Sequence, residues 1–423
     1  MPLRDLLSER RESVVVNGGL GDWQAITIKF SGAVLPRDRA DAFKGAMFAA
    51  YPGDLLFSKI DARNGAIGLI PETIEKAVVT SEYPVFIPKA DKLRPHYLHH
   101  LLQASHFRAD LQSKASGTSG RKRITPESFL SLTLPLPTLA EQDALVASYI
   151  AALNQAAQLE QEAEATGRTA RQSFETTLGV AAPPPLPSRP VFVARFKDIE
   201  RWSHEGALRA TIGEKSVEVS SCPIVELGTV AAVSYGLQKS PANRPGLYAR
   251  PYLRVANVQR GRLVLDEIKT INVPDSDMNA LRLERGDILF VEGNGSRAEL
   301  GRVALWNGEI ADCVHQNHII KARPEKDKLL PEFAMAWFNS DSGRDHFFKL
   351  GKTTSGLGTI NSTVIRTAPI PLPTVDTQSA LVEALSEAES EASNKRTEAA
   401  ELRQSAWAAF ESTLFNVIEI SAA

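Results

Sequence analysis

The sequence predicts an α+β protein in which one structural unit occurs twice and two long helices join the copies. Three observations predict this fold. The chain matches itself at a shift of 236 residues, each copy carries short β-rich runs broken by Gly and Pro, and each copy ends in about 40 residues without an internal proline. Internal self-similarity indicates one architecture used repeatedly. At 423 residues, the chain has room for two or three domains.

The repeat consists of blocks that occur in the same order in both copies. Pro135–Thr138 recurs at Pro371–Thr374, with the same Pro-Leu-Pro-Thr sequence. Gly53–Phe57 matches Gly286–Phe290 only at a shift of 233, which implies a small insertion between blocks. At the 236-residue shift, Ser188–Gly236 has no counterpart. We therefore expect a first domain that is shorter at its amino end.

Each copy divides into a twisted mixed β-sheet region with a helix, followed by a long helix. β-rich runs are expected at Asp54–Ile60 and Asp287–Glu292, and one helical stretch near Tyr97–Leu111 and Glu332–Phe348. The predicted segments are a first β-rich domain at 1–138, a long helix at 139–180, a proline-rich linker at 181–190, a second β-rich domain at 191–374 and a second long helix at 375–418.

The long helices carry apolar and small residues at alternating spacings of four and three, which is the heptad pattern of a coiled coil. The larger seam residues are Leu145, Tyr149, Leu159, Leu381, Leu385 and Leu402. The remaining seam positions are Ala152, Ala156, Ala163, Thr166, Ala170, Ser173 and Thr177, then Ala388, Ala392, Lys395, Ala399, Ala406, Ala409 and Thr413. Two amphipathic helices that each cover their own domain are the alternative. Gly167 costs the first helix about 1 kcal/mol relative to Ala, so a local irregularity is expected there.

The net charge of −2 conceals a separation of charge along the chain. The stretches Leu139–Leu178 and Asp376–Phe415 together carry −9, which leaves +7 on the rest of the chain. Basic domains are the electrostatic signature of nucleic-acid binding, although a run of bases is also common on an ordinary solvated face. Gly228–Leu265 holds six Lys and Arg residues and no acid, interleaved with tyrosines. Such a segment can neutralise phosphates and reach base edges.

The candidate DNA-contacting residues are basic, amide, hydroxyl and aromatic side chains on these domains. In the first domain they are Lys59, Arg63, Asn64, Thr118, Ser119, Arg121, Lys122 and Arg123. In the second domain they are Lys239, Arg244, Tyr248, Arg250, Tyr252, Arg254, Asn257, Arg260, Arg262, Asn294, Arg297, Gln316, Asn317 and Ser355.

Patterns for catalysis and metal binding are weak. Gly351–Thr354 resembles the end of a phosphate-binding loop but lacks the required upstream glycine. His315 and His318 would point to opposite faces of a strand, so with Cys313 they make a poor metal site. The cysteine pair Cys222 and Cys313 suits a reducing compartment. With no signal-peptide core and no long apolar run, a soluble cytoplasmic protein without catalytic residues or a metal is expected.

Several stretches in their order along the chain resemble the specificity subunit of type I restriction-modification systems. They are Ser58–Ala66, Leu134–Pro137 with Glu141 and Gln142 after it, Pro251–Val258, Gly286–Leu289 and His315–His318. The resemblance implies that each β-rich region is a target recognition domain for one half of a split DNA sequence. It also implies that the long helices pair as an antiparallel coiled coil that sets the unread spacer.

The resemblance further implies which partners the chain has. Double-stranded DNA, DNA methyltransferase subunits, two in number, and a motor-nuclease restriction subunit would bind it. S-adenosylmethionine, Mg²⁺ and ATP would be bound only by those partner subunits, so no cofactor is expected in this chain. Three alternatives stay open: a scaffold whose domains bind proteins, a self-contained nuclease, NTPase or methyltransferase, and the specificity subunit of another methyltransferase-based phage-defence system.

Overall fold

The structure is a computed structural model, and its description covers most of the chain. The described residues are 1–15, 19–38, 46–115, 123–180, 191–198, 207–208, 211, 222–238, 244, 246–294, 299–350, 352–354 and 357–422, with the backbone alone at 294, 349, 352–354, 357 and 415–422. The predicted linker 181–190 lies outside them. Two compact units result: the first combines Met1–Gln161 with Lys395–Ala423, and the second is Glu162–Asn394.

Among its described residues, the first unit contains nine strands, three short helices and part of two long ones. The strands are β1 Leu7–Arg10, β2 Ser13–Val14, β3 Gln24–Ile28, β4 Val34–Pro36, β5 Met47–Ala50, β6 Leu55–Phe57, β7 Ile67–Leu69, β8 Ala77–Thr80 and β9 Val85–Pro88. The helices are α1 Pro95–Gln103, α2 Ser105–Ser113, α3 Pro126–Leu130 and the long α4 Leu139–Thr177, which continues into the second unit.

The second unit contains fourteen strands among its described residues. They are β10 Ile224–Glu226, β11 Ala231–Tyr235, β12 Ala249–Leu253, β13 Val258–Gln259, β14 Arg262–Leu263, β15 Lys269–Asn272, β16 Asp287–Val291, β17 Gly293–Asn294, β18 Val303–Trp306, β19 Val314–His315, β20 Ile319–Pro324, β21 Lys352–Thr354, β22 Leu357–Thr359 and β23 Pro369–Pro371. The helices are α5 Asp275–Leu281, α6 Pro331–Asn339, α7 Asp341–Leu350, α8 Ser362–Arg366 and the long α9 Val375–Ala422, which ends in the first unit.

The same antiparallel sheet is found in both units. Its strand order is β1-β9-β6-β7 in the first and β11-β20-β16-β18 in the second, with β6 and β16 as buried inner strands. Each inner strand follows a tight turn: Gly53 and Gly286 adopt φ of +82° and +99°, which favours glycine. In each turn the next residue, Asp54 or Asp287, accepts a hydrogen bond from a backbone amide through its buried carboxylate.

The expectation that Ser188–Gly236 has no counterpart in the first domain is wrong for the residues from about 225 onward. Leu3 donates its amide to the carbonyl of Leu132 at 2.8 Å, and Leu227 makes the equivalent bond to Ala368 at 2.9 Å. Strand β1 pairs with β9 as β11 pairs with β20. The amino end therefore matches residues from about 225 onward at a shift of 224. In the described part of the chain, the second sheet of the first unit, β2-β5-β8-β3-β4, has more strands than its partner β15-β12-β19.

The single helical stretch expected in each copy is two helices. Backbone ψ angles of 147° at Ala104 and 165° at Ser340 break the helix between α1 and α2 and between α6 and α7. A helix that restarts exposes unpaired N–H groups, which need an acceptor. Glu411 accepts the amide hydrogen bond of Ser105, and Glu175 accepts that of Ser342, both at 2.8 Å. A carboxylate from a long helix thus caps the second short helix in each unit.

The two long helices pack antiparallel, as the fold class predicted. In the first unit, Tyr149 lies 5.5 Å from Phe410 between ring centroids, and Glu160 pairs with Arg403, so one helix rises in number as the other falls. In the second unit, Phe174 and Leu178 share a core with Leu381 and Leu385. The helix α4 also runs through Gly167 without interruption, so the predicted irregularity is wrong.

The seam follows the predicted positions except at its last turns. Leu145, Tyr149, Leu159, Leu381, Leu385 and Leu402 are half-buried. Ser173, Thr177, Ala409 and Thr413 are exposed, and the buried residues are one position further on, at Phe174, Leu178, Phe410 and Leu414. The reason is packing: these last turns face a β-rich domain, whose core admits large side chains.

Candidate nucleic-acid interface

In the first unit, three segments meet where strand β6 ends. Lys59 donates its amide to the carbonyl of Glu82 at 3.0 Å, and its own carbonyl accepts from the amide of Ile124 at 2.8 Å. Arg123 therefore lies beside Lys59, and its Nη2 is 3.3 Å from Oε2 of Glu82. Both cations are accessible, since Lys59 is half-buried and Arg123 is exposed. The structure thus brings together two predicted residues that are 64 positions apart.

The loop after Lys59 presents Arg63 and Asn64. The turn Ala62–Asn64 ends at Gly65, where φ is +100° and an added Cβ would lie 2.2 Å from the carbonyl oxygen of Phe30. Only glycine fits that close approach. Asn64 is exposed and donates to Oδ1 of Asp61 at 3.3 Å. The Nε of Arg63 is buried and has no hydrogen-bond partner within the described part of the chain.

The second unit repeats this backbone arrangement with different side chains. Glu292 donates its amide to the carbonyl of His318 at 3.0 Å and accepts from the amide of Ile360 at 2.8 Å. The carboxylate of Glu292 lies 2.5 Å from Nδ1 of His318. We call this arrangement the strand-end site. It comprises Lys59, Glu82 and Arg123 in the first unit, and Glu292, His318 and Thr359 in the second.

Most described cations of the acid-free stretch find acidic partners from elsewhere in the unit. Arg250 lies between Asp275 at 2.5 Å and Asp312 at 3.3 Å. Arg254 lies 3.4 Å from the carboxylate of Glu267, and this neighbour holds the pKa of Glu267 below its ordinary value. The stretch is consequently less basic in the folded unit than in the sequence.

Arg260 lies in a similarly enclosed environment. Its Nη1 donates to Oδ1 of Asn339 at 3.2 Å, and its Nη2 is 3.7 Å from Glu299. Burial, followed by the nearby Arg344, lowers the pKa of its guanidinium. Contact between Arg250, Arg254 or Arg260 and DNA stays a prediction, and in the free unit each already has a partner in the protein.

The structure contradicts a direct DNA contact by Tyr252 or Asn257. Tyr252 is 4% exposed and belongs to a core with Ile271 and Val314. Asn257 is 3% exposed; its Oδ1 accepts from the amide of Arg254, and its Nδ2 donates to two backbone carbonyls. Both N–H donors of this amide are used within the protein, and its burial keeps the oxygen away from a base edge. Asn257 instead stabilises the turn that follows β12.

Besides Arg250, Arg254 and Arg260, five predicted residues of the second unit are at least partly accessible. Arg262 is exposed in the β13–β14 hairpin, Arg244 is exposed, and Tyr248 is 40% exposed. Gln316 and Asn317 are half-buried in the β19–β20 turn, next to His318. The predicted residues outside the described side chains are Thr118, Ser119, Arg121, Lys122, Lys239, Asn294, Arg297 and Ser355. Their contacts with DNA stay predictions.

Glu82 and Glu292 are not among the residues predicted from the sequence, and His318 is predicted only as a poor metal ligand. Acidic side chains do not match the basic, amide, hydroxyl and aromatic pattern expected of a DNA-binding surface. The repeat could have identified these positions, because the 236-residue shift aligns Thr80–Glu82 with Gln316–His318. Side chains that differ at equivalent turns mark the places where two copies of one domain can recognise different partners.

The Cys313–His318 segment is arranged differently from a metal site. His315 is fully buried, and its Nδ1 lies 2.8 Å from the carbonyl of Ile319, whereas the side chain of His318 is 53% exposed. Burial lowers the pKa of His315 to about 4 and raises that of Cys313 to about 12. In the described ranges, no three His, Cys, Asp or Glu residues are grouped to hold a metal, and no helix is long and apolar enough to span a membrane.

The fold and this surface define a class: two related α+β domains, each closed by parts of two antiparallel helices. Residues 47–165 match the family described as the type I restriction modification DNA specificity domain. The EcoKI specificity subunit of Escherichia coli K12 is 25% identical over 287 residues, or 68% of this chain and 56% of that protein. The StySPI specificity subunit of Salmonella potsdam is 25% identical over 69% of this chain and 57% of that protein. The chain thus matches little more than half the length of these relatives.

Solved structures show the same fold. A chain from a study of complex assembly and conformational transition of the type I R-M system covers 99% of this chain, with a TM-score of 0.61 and 15% identity. The HsdS subunit from Thermoanaerobacter tengcongensis covers 98%, with a TM-score of 0.51 and 15% identity. The chain is therefore a relative of the type I restriction-modification specificity subunits, and the resemblance found in the sequence is confirmed.

Proposed function

We propose that this chain is the non-catalytic DNA-specificity subunit of a type I restriction-modification complex and reads a bipartite target. The observation that supports this proposal is that the strand-end site has the same backbone arrangement in both units but different side chains. Equivalent domains with different surfaces suit two half-sites of different sequence. Pseudo-symmetric DNA readers match their symmetry to the spacing of half-sites.

The paired helices are the proposed spacer. Each unit includes residues from both α4 and α9, so neither domain is held by its own helix alone. The acidic surface of these helices would leave DNA binding to the domains and offer a surface for two methyltransferase subunits. Those subunits would bind S-adenosylmethionine, and a restriction subunit would bind ATP and Mg²⁺.

Isolation of the tagged chain from its native cell tests the assembly. Methyltransferase subunits should co-purify in excess over this chain, as identified by mass spectrometry. Recovery of the chain without them and without enriched DNA would reject the proposal.

Binding to DNA targets with a varied spacer tests the bipartite reading. The isolated complex should prefer one spacer length, and affinity should fall steeply with added salt because Lys and Arg displace counterions. Leu385→Asp should broaden the spacer preference while each half-site is still recognised, since Leu385 packs at the base of the helix pair. Equal binding at every spacer length by the unaltered complex would contradict a spacer role.

A further inference from the structure

The two strand-end sites share a backbone frame in detail. The β8–β9 turn closes with the amide of Tyr83 donating to the carbonyl of Thr80 at 3.0 Å, and the β19–β20 turn closes with Ile319 donating to Gln316 at 2.9 Å. The bonds of Lys59 and Glu292 to these turns are both 3.0 Å. Side chains at matched positions thus project from equivalent points of the two domains. The side chains at these equivalent positions differ in charge and chemistry. Glu292 stands where the first unit has Lys59, and His318 stands where it has Glu82.

Each site contains one acid paired with one base, but the acid occupies a different position. In the first unit the acid is on the turn, and in the second it follows the inner strand. A partly exposed acid–base pair contributes little to stability, so folding alone does not require a pair at this place. The exchange of positions therefore needs a reason other than folding.

The acid of the first unit has unused hydrogen-bonding capacity. Oε2 of Glu82 is buried, lies 3.3 Å from Arg123, and accepts no hydrogen bond from any described residue. Buried acceptors without a donor are rare and call for an explanation. A carboxylate on a surface for phosphates weakens binding unless it gains a specific donor, and in the major groove the N4 amino group of cytosine is such a donor.

We propose that Glu82 and Glu292 are specificity-determining residues, each accepting a hydrogen bond from the amino group of a cytosine in its own half-site. In the free protein Arg123 pairs with Glu82 and His318 forms a hydrogen bond with Glu292, and both exchange partners when DNA binds. A base without that amino group leaves the carboxylate facing an acceptor or an apolar edge, so it is rejected. This inference rests on the proposed function, because it names the bases that the proposed reader selects.

The test uses the complex isolated through the tagged full-length chain, with Glu82→Gln and Glu292→Gln as separate variants. Binding to a randomised double-stranded library, followed by sequencing of bound DNA, gives the preference at every position. Glu82→Gln should reduce discrimination for cytosine about tenfold at one position of one half-site, and Glu292→Gln should do so in the other half-site only. Glu75→Gln and Glu325→Gln are matched controls, because both residues are exposed acids outside the strand-end sites.

The outcomes separate this inference from the proposed function. If the unaltered complex shows a bipartite preference and both variants retain it at every position, the inference is overturned and the function stands. Equal loss at all positions would also overturn the inference, since it indicates a structural role, which denaturation of the variants would reveal independently. If the unaltered complex shows no sequence preference, the proposed function itself fails.

Discussion

The two units are alike where the domain meets the long helices and different where the proposed reading surface lies. Gln142 and Gln378 are both fully buried, and each donates to two backbone carbonyls while accepting one amide hydrogen bond at 2.8 Å. At the strand-end site, by contrast, Lys59 is replaced by Glu292 on the same frame. The comparison indicates that attachment of a domain to the helices is separate from recognition.

The two units also differ in how an aromatic residue of the long helices packs against each domain. Phe410 contacts four aromatic or imidazole rings, those of Tyr97, His100, Tyr149 and Trp407, at 5.5–6.5 Å. Its counterpart Phe174 packs on the ring of Phe333 at 5.6 Å. Both rings are 3% exposed.

Phe410→Ala and Phe174→Ala should have the largest effects on stability. Each should destabilise only the unit to which the altered residue belongs. Removing a buried Phe costs about 3–5 kcal/mol, and lost aromatic contacts should make Phe410→Ala the more severe. Hydrogen exchange measured by mass spectrometry should show lost protection in Met1–Gln161 for Phe410→Ala and in Glu162–Asn394 for Phe174→Ala. Equal loss in both units for either variant would contradict their independence.

Gln142→Ala and Gln378→Ala should destabilise their units by similar amounts, because their bonds are the same. Each change leaves three backbone groups without a partner, and each unsatisfied group costs about 1–3 kcal/mol. Chemical denaturation measures the loss. Gln155→Ala, at an exposed position of α4, is the control and should have little effect. A much larger loss for one glutamine would show that the attachments differ.

Acid should destabilise the first unit more than the second. Burial lowers the pKa of His99 and of His100 to about 4, and that of His315 in the second unit to about 4. Each is neutral when folded but takes up a proton near pH 6.5 when unfolded, so stability is lost as the pH falls from 6.5 toward 4. Hydrogen exchange at pH 7 and pH 5 compares the units, with the exposed His96→Gln as a control. Greater loss in the second unit would contradict the prediction.

Glu411→Gln and Glu175→Gln should have the smallest effects. Each removes a charge from the N-terminus of a short helix while keeping an acceptor, at a cost of about 0.3–1 kcal/mol. Thermal unfolding should show a small, similar decrease for both. An effect as large as that of Gln142→Ala would mean that the carboxylates do more than cap α2 and α7.

Much of the fold could be predicted from the sequence because the repeat and the proline-free helices leave strong patterns. The equivalence of β1 and β11 could not be predicted. Leu7–Arg10 and Ala231–Tyr235 occupy the same position in their sheets but have dissimilar sequences. The environment of Arg250 also escaped prediction. Its acids, Asp275 and Asp312, come from segments outside the acid-free stretch, and only folding brings them near.

The first unit is assembled from two distant segments of the chain, and this affects its folding during synthesis. Met1–Gln161 leaves the ribosome long before Lys395–Ala423, which completes the same unit. At about 5–20 residues per second, translation of the intervening chain takes roughly 10–50 s. During that time Tyr97, Tyr149 and their neighbours lack Phe410 and Leu414, which close their core. Nascent chains should therefore recruit chaperones at this aromatic surface, and a message truncated before residue 395 would yield a first domain that stays open.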